Sequence, residues 1–212
     1  MFNFFKKHSD IPKTIHQIHL GKKPLSNKEV LWQSSWKQYN PEWNYVFWDE
    51  EKISKDLKIS HPQILNECKS YSEKSDILRF EILYQYGGLY IDTDFECYKN
   101  IDSLFKPKLK LLIYKENNSD ICGAFFASTK HNPLVKKLIE NLPARSLMAK
   151  NSPAYNKYGP KYLTSLLNNH HLPYGKDTVY PYCWDEKDKS NENFKKNNPK
   201  LYAAHHWAGS WT

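Results

Sequence analysis

The sequence predicts an α/β fold with a mostly parallel central sheet, and three observations carry that reading. Short apolar runs with strand character alternate with helical periodicity up to about residue 140, the pattern that builds parallel sheets covered by helices. The 212 residues, 40% of them apolar, suffice for one hydrophobic core and are too few for two. Polar groups fall where strands end: His19, Asp49 and the pair Asp92 and Asp94. Open α/β sheets bind ligands beyond those carboxyl ends.

Taken in order, residues 11–20 (IPKTIHQIHL) alternate Ile15, Ile18 and Leu20 with polar positions and read as a strand ending at Gly21. Ser26 and Glu29 form a capping box ahead of a helix. Trp32, Trp36 and Tyr39 make its apolar face, and Pro41 ends it. Residues 43–48 (WNYVFW) are short and aromatic, hence a strand, with Asp49 at its end. Residues 60–69 form a helix with Pro62 in its first turn. Residues 72–86 form another, stopped by Gly87-Gly88. Leu89, Tyr90 and Ile91 are a buried strand running into Asp92-Thr93-Asp94. Residues 111–114 and 124–127 are further strands. Asn132-Pro133 opens a helix with Leu134, Leu138 and Leu142 inward, and Gly159-Pro160 opens the next. Residues 185–200 are rich in Lys and Asn and read as a mobile surface loop.

Charge narrows the function. The balance is +8, from 31 basic and 23 acidic residues, which favours anionic ligands. Only Arg79 and Arg145 are arginine; reading of base edges, where arginine is a preferred tool, is therefore not expected. A retained arginine in a lysine-rich chain is informative, because lysine cannot copy its planar fork. Cys68, Cys97, Cys122 and Cys183 form no CxxC pair, which argues against a zinc ribbon or disulfide scaffold and for reduced thiols. No apolar run reaches the roughly 20 residues of a spanning helix. Residues 1–7 are too short and too charged for a secretory signal, so a cytoplasmic protein is expected. Phe2, Phe4 and Phe5 beside Lys6 and Lys7 suit peripheral contact with the inner face of a membrane.

The chemistry concentrates in residues 75–94, SDILRFEILYQYGGLYIDTD. Asp92 and Asp94 after an apolar strand offer paired hard oxygens, suited to Mg²⁺ or Mn²⁺ with phosphates completing the shell. Asp76 and Arg79 share a helix face. They form either a plain i,i+3 ion pair or a clamp for sugar hydroxyls. Near the other end, residues 205–211 (HHWAGSW) place imidazole, indole and hydroxyl groups together. They either dock into the core or form a lid, with imidazole to metal and Ser hydroxyl and Trp N–H to phosphate. A dehalogenase-type phosphatase wants Thr or Val where Glu96 stands, and a nucleotidyltransferase wants Gly-Ser well before its dyad. There is no P-loop, GxSxG or HExxH.

Together, IPKTIHQIHLG, SDILRFEILYQYGGLYIDTD and HHWAGSW resemble the DXD-containing sugar transferases of glycosyltransferase family 32, and more distantly the clostridial glucosylating toxins. The likeness runs in order over residues 11–211, and PEWNYVFWDE and Gly159-Pro160 also fit it. It implies a single GT-A domain over residues 1–212 with a C-terminal lid at 205–212. It implies a nucleotide-sugar donor (a UDP-hexose ahead of GDP-mannose), Mn²⁺ or Mg²⁺, and transfer with retention of anomeric configuration. The implied acceptor is a glycan or lipid-linked glycan in cell-surface polysaccharide synthesis, with no nucleic-acid partner. By the same resemblance Asp94 ligates the metal, Asp92 holds ribose or metal, and His206 is a C-terminal metal ligand. Asp76 and Arg79 grip the donor hexose, Ser210 and Trp211 bind the β-phosphate, and Ile18, His19 and Leu20 line the base pocket. Relatives often have Trp at the position of His19 and Asn at that of Gly123. Two other readings stay open: a toxin-like enzyme that glycosylates protein, and a basic nucleic-acid-binding module without catalysis.

Overall fold

The computed structural model describes residues 9–117, 119–167, 172–173, 175–189 and 194–209. Strand β1 (Thr14–Ile18) leads to helix α1 (Asn27–Tyr39), whose capping box is formed as expected: the Ser26 hydroxyl accepts from the Glu29 amide and the Glu29 carboxylate accepts from the Ser26 amide. Strand β2 (Asn44–Trp48) follows. Asp49 at its end is not a ligand group but a helix cap, its Oδ1 accepting from the Lys52 amide at 2.8 Å. It opens α2 (Glu50–Asp56), which the sequence reading lacked.

Helices α3 (Pro62–Glu67) and α4 (Tyr71–Tyr86) come next. Gly87, at φ +64°, caps α4 and turns the chain straight into β3 (Gly88–Ile91). Gly88 has φ +99°, and a Cβ there would sit 2.5 Å from the Thr14 carbonyl oxygen. Only glycine permits this reversal so close to β1. Beyond it lie β4 (Phe95–Cys97), β5 (Leu111–Lys115), β6 (Ile121–Ser128), α5 (Pro133–Glu140), α6 (Leu142–Met148), α7 (Ala154–Lys157) and α8 (Pro160–Leu167). Residues expected as a loop at 185–200 include a 3₁₀ turn, Trp184–Lys189, and α9 (Phe194–Asn197). Strand β7 (Ala203–His205) completes the described elements.

Five strands make the main sheet in the order β2-β1-β3-β6-β5. The first three are mutually parallel, and β6 runs against both β3 and β5. Strand β5 thus points with β1, β2 and β3, and only β6 is reversed. Alternate side chains sort onto two faces. Tyr90, Ile113 and Phe126 pack beneath α4, α5 and α8. Ile15, Leu89, Ile91, Phe125 and Ala127 pack with Trp36 of α1 and with Phe95, Tyr180 and Ala203. Trp36 is fully buried and donates from Nε1 to the Phe95 carbonyl at 2.7 Å, while Trp32 turns outward from that core. A two-stranded ribbon of β4 and β7 carries the later chain across the carboxyl end of β3.

Candidate active site

Strand β3 delivers Asp92 and Asp94 to the edge of the sheet. The Asp92 amide donates to the Ala124 carbonyl at 3.0 Å, and the Phe95 amide returns to the Asp92 carbonyl at 3.3 Å. That turn presents both carboxylates on one side. The middle residue, Thr93, is buried and donates to Glu29 at 3.3 Å. One carboxylate therefore caps α1 and also steadies the turn between the two aspartates.

Asp92 accepts from the Tyr90 hydroxyl at 2.7 Å and lies 3.4 Å from Nη2 of Arg79. The same Nη2 meets Asp76 Oδ1 at 2.8 Å. Arg79 and Asp76 are both buried, so the i,i+3 ion pair is formed away from solvent. The guanidinium also lies 4.6 Å over the Tyr90 ring and donates from Nε to the Ser75 carbonyl. Gly123 makes room for it, since a Cβ there would approach Arg79 Nη1 to 2.7 Å. Burial pushes the Asp76 carboxyl up to about 7, against the pull of Arg79.

Asp94 is held from the other side. Its Oδ1 lies 3.0 Å from His205 Nε2, its Oδ2 accepts from the Ala208 amide at 2.9 Å, and its carbonyl accepts from the His206 amide at 2.9 Å. Burial opposes the charge on Asp94, but His205 and the Ala208 N–H outweigh it and hold this carboxyl below its ordinary value. His205 is raised in turn: burial lowers it, and the charge and hydrogen bond of Asp94 prevail. Without a cation, each group thus favours the charged form of the other. The sequence reading put His206 beside the dyad, and the structure puts His205 there. Along β7 alternate side chains face opposite ways; Phe95 pairs with His205 and their rings stack. His206 faces away, 2.9 Å from Glu96, stacked on Trp32 and 3.2 Å from the Tyr182 hydroxyl. One ligand atom each from Asp92, Asp94 and His205 lies within 4.8 Å of the other two. Two carboxylates and an imidazole whose Nε2 faces them fit Mn²⁺ or Mg²⁺.

Next to the dyad, a cleft of about 330 Å³ opens past the end of β1, lined by His19, Leu20, Gly21, Glu29, Tyr71 and Ala208. Of the three residues expected at a base pocket, His19 and Leu20 reach it, whereas Ile18 is fully buried in the core. His19 is fixed by its Nε2, 2.7 Å from the Lys23 carbonyl. Gly21, at φ +91°, lets the Tyr71 ring close over the turn. Ser210 and Trp211 lie outside the described residues. The expected lid begins inside the fold, because His205 is a buried strand residue. Glu29, Tyr71, Tyr90 and His205 were missed as site residues. Glu29 was visible only as a cap, and His205 would have followed from alternation along 203–205.

Residues 26–110 match the family model described as "glycosyltransferase sugar-binding region containing DXD motif". That stretch holds Glu29, Asp76, Arg79, Asp92 and Asp94. Inositol phosphoceramide mannosyltransferase 3 of Schizosaccharomyces pombe is 30% identical over 136 residues, 63% of this chain and 37% of that protein. Mannosyl phosphorylinositol ceramide synthase CSH1 of Saccharomyces cerevisiae is 28% identical over 135 residues, 62% of this chain and 35% of that one. The chain thus spans under two fifths of the length of these two relatives. Among solved structures, the PaToxG glycosyltransferase superposes with TM-score 0.63 at 24% identity, over 76% of this chain and 70% of that one. The catalytic domain of alpha-toxin from Clostridium novyi does so with TM-score 0.53 at 12% identity, over 76% and 64%. These likenesses show the fold, which is GT-A. The dyad, its arginine clamp and the match over residues 26–110 all fall on one site, and there the chain is similar to the glycosyltransferases that carry the DXD sugar-binding region.

Proposed function

We propose that this protein moves a hexose from a nucleotide sugar to a glycan acceptor, with retention and with a divalent cation. The observation that carries the reading is the joined set Asp76–Arg79–Asp92 and Asp94–His205, buried except for the half-buried Asp92, at the carboxyl end of β3 beside an open cleft. Asp92, Asp94 and His205 would hold Mn²⁺ or Mg²⁺, which when bound neutralises charge growing on the leaving diphosphate. His19, Leu20 and Tyr71 would take the base. Asp76 and Arg79 would orient the hexose, so that position rather than a separate base supplies much of the rate. Ser210 and Trp211 remain assigned to the β-phosphate by resemblance.

Two donors compete. The sequence reading favours a UDP-hexose; the names of the relatives, mannosyltransferases of inositol phosphoceramide, bring GDP-mannose forward as the second. The same names set a glycolipid acceptor beside the cell-surface polysaccharide first expected. No helix among the described residues is long and apolar enough to cross a membrane. We keep the proposal of a cytoplasmic protein touching the inner leaflet through Phe2, Phe4, Phe5, Lys6 and Lys7, all outside the described residues. It predicts salt-sensitive binding to anionic vesicles that falls when residues 1–7 are deleted.

A thermal-shift and hydrolysis panel of UDP-glucose, UDP-galactose, UDP-N-acetylglucosamine and GDP-mannose with Mn²⁺ tests the transferase reading. A donor at 100 times its Kd adds about 2.7 kcal/mol of stability. If no donor is cleaved or shifts the melting point, and the protein binds RNA in a salt-sensitive way, the nucleic-acid reading replaces it.

A further inference from the structure

A second cleft, of about 470 Å³, opens on the far side of segment 205–208 from the first. Glu116, Asn117, Tyr155, Cys183, Trp184 and Trp207 line it. Its volume is in the range of small-molecule sites, about 300–1,000 Å³. Neighbouring residues of this segment line the two clefts. Ala208 faces the first and Trp207 the second, while His205 between them holds Asp94. Trp207 makes that change of side with φ +52°, a conformation rare for a bulky residue. Its ring packs 3.9 Å from that of His205. Whatever fills the second cleft therefore lies against the Trp207 ring, which itself packs on the imidazole that holds Asp94.

The lining says what would fill it. Glu116 has a buried carboxylate oxygen, Oε2, with no hydrogen-bond partner, and burial pushes this carboxyl above its ordinary value. A hydroxyl both donates and accepts, so it suits this carboxyl in either protonation state. Buried polar atoms left bare are uncommon and costly. Nδ1 of His205 is bare in the same way, and Glu116 and His205 lie close enough to feel each other's charge. The Trp184 ring stands perpendicular to that of Trp207, and the residue is 54% exposed on the cleft wall. An indole face beside a carboxylate suits a molecule with an apolar ring face and hydroxyl edges. Asp185 lies on the same wall and adds negative charge, which disfavours phosphate; the first cleft, with Lys22 and Lys23, favours it.

We propose that this second cleft binds the acceptor saccharide, with a sugar ring lying on Trp184 and an acceptor hydroxyl donating to Glu116. The assignment rests on the transferase reading and names the side from which the acceptor reaches the site.

The test uses the full chain with Mg²⁺. Saturation-transfer NMR is run with methyl α-mannoside, methyl β-galactoside, lactose and, as a cationic control, putrescine; calorimetry follows UDP and GDP. Wild type is compared with Glu116→Gln and Trp184→Ala, each checked by melting. At least one glycoside should bind wild type and lose tenfold or more in affinity in both variants, with nucleotide affinity held within twofold. Glycoside binding that survives both substitutions, binding of putrescine alone, or no glycoside binding to wild type overturns the proposal. If glycosides bind as stated but neither nucleotide does, the cleft stands and the transferase reading falls.

Discussion

At the residue scale, Arg79 joins four groups: Asp76, Asp92, the Ser75 carbonyl and the Tyr90 ring. A lysine ammonium cannot reach both carboxylates in one plane. Arg79→Lys is expected to cut donor turnover at least 100-fold and to lower stability by about 1–3 kcal/mol, read by diphosphate release and urea denaturation. Turnover within a few-fold of wild type would leave Arg79 a structural ion pair. Asp76 adds a pH signature. Its carboxyl is raised from 3.8 to about 7, so its contribution to stability is present below pH 4 and lost as pH rises through 7. Asp76→Asn should flatten that window, removing up to about 4 kcal/mol of the wild-type decline between pH 4 and 8. Urea titrations at both ends measure it, and parallel slopes for the two proteins would contradict it. The aspartates and Arg79 were legible because their spacing is local. The imidazole beside the dyad was not: choosing between His205 and His206 needs the strand that pairs one of them with Phe95, a contact more than 100 positions away. His205→Ala should therefore abolish turnover, with a loss at least tenfold greater than that of His206→Ala.

Among the elements, α1 does two jobs through one side chain. Glu29 caps its first turn and accepts from Thr93 inside the dyad. Glu29→Ala should remove the cap, costing about 0.5–2 kcal/mol, and should also weaken Mn²⁺ binding because Thr93 loses its partner. Ser26→Ala should show the stability loss without the metal effect; equal metal affinity in all three proteins would remove the link. The capping box was legible in the sequence, yet its second role was not, since nothing local marks a cap that also touches a loop 64 residues on. Helix α2 escaped for a different reason. Its seven residues bury only Ile53, so it carries no apolar stripe to read. Helix α4 is the opposite case: it is buried almost all round, and the Gly87-Gly88 stop and its length revealed it.

Across the whole molecule, the alternating pattern was enough for the α/β sheet, and the reversed β6 was the part it could not show, because strand direction depends on connections rather than on side-chain period. The fold also sets where the chain tolerates cutting. Truncation after Trp207 should leave the melting temperature within a few degrees while weakening nucleotide binding. Truncation after Lys200 removes buried Leu201, Ala203, Ala204 and His205, and should cost more than about 3 kcal/mol, visible as a broad or absent melt. The pairing of Asp94 with His205 has a temporal consequence as well. The two are 111 positions apart. At a ribosome adding about 5–20 residues per second, the dyad emerges roughly 5–20 seconds before its imidazole. For that interval the nascent chain has its aspartates and arginine in hand but no partner for Asp94, and a stalled or clipped product is left with that half of the site.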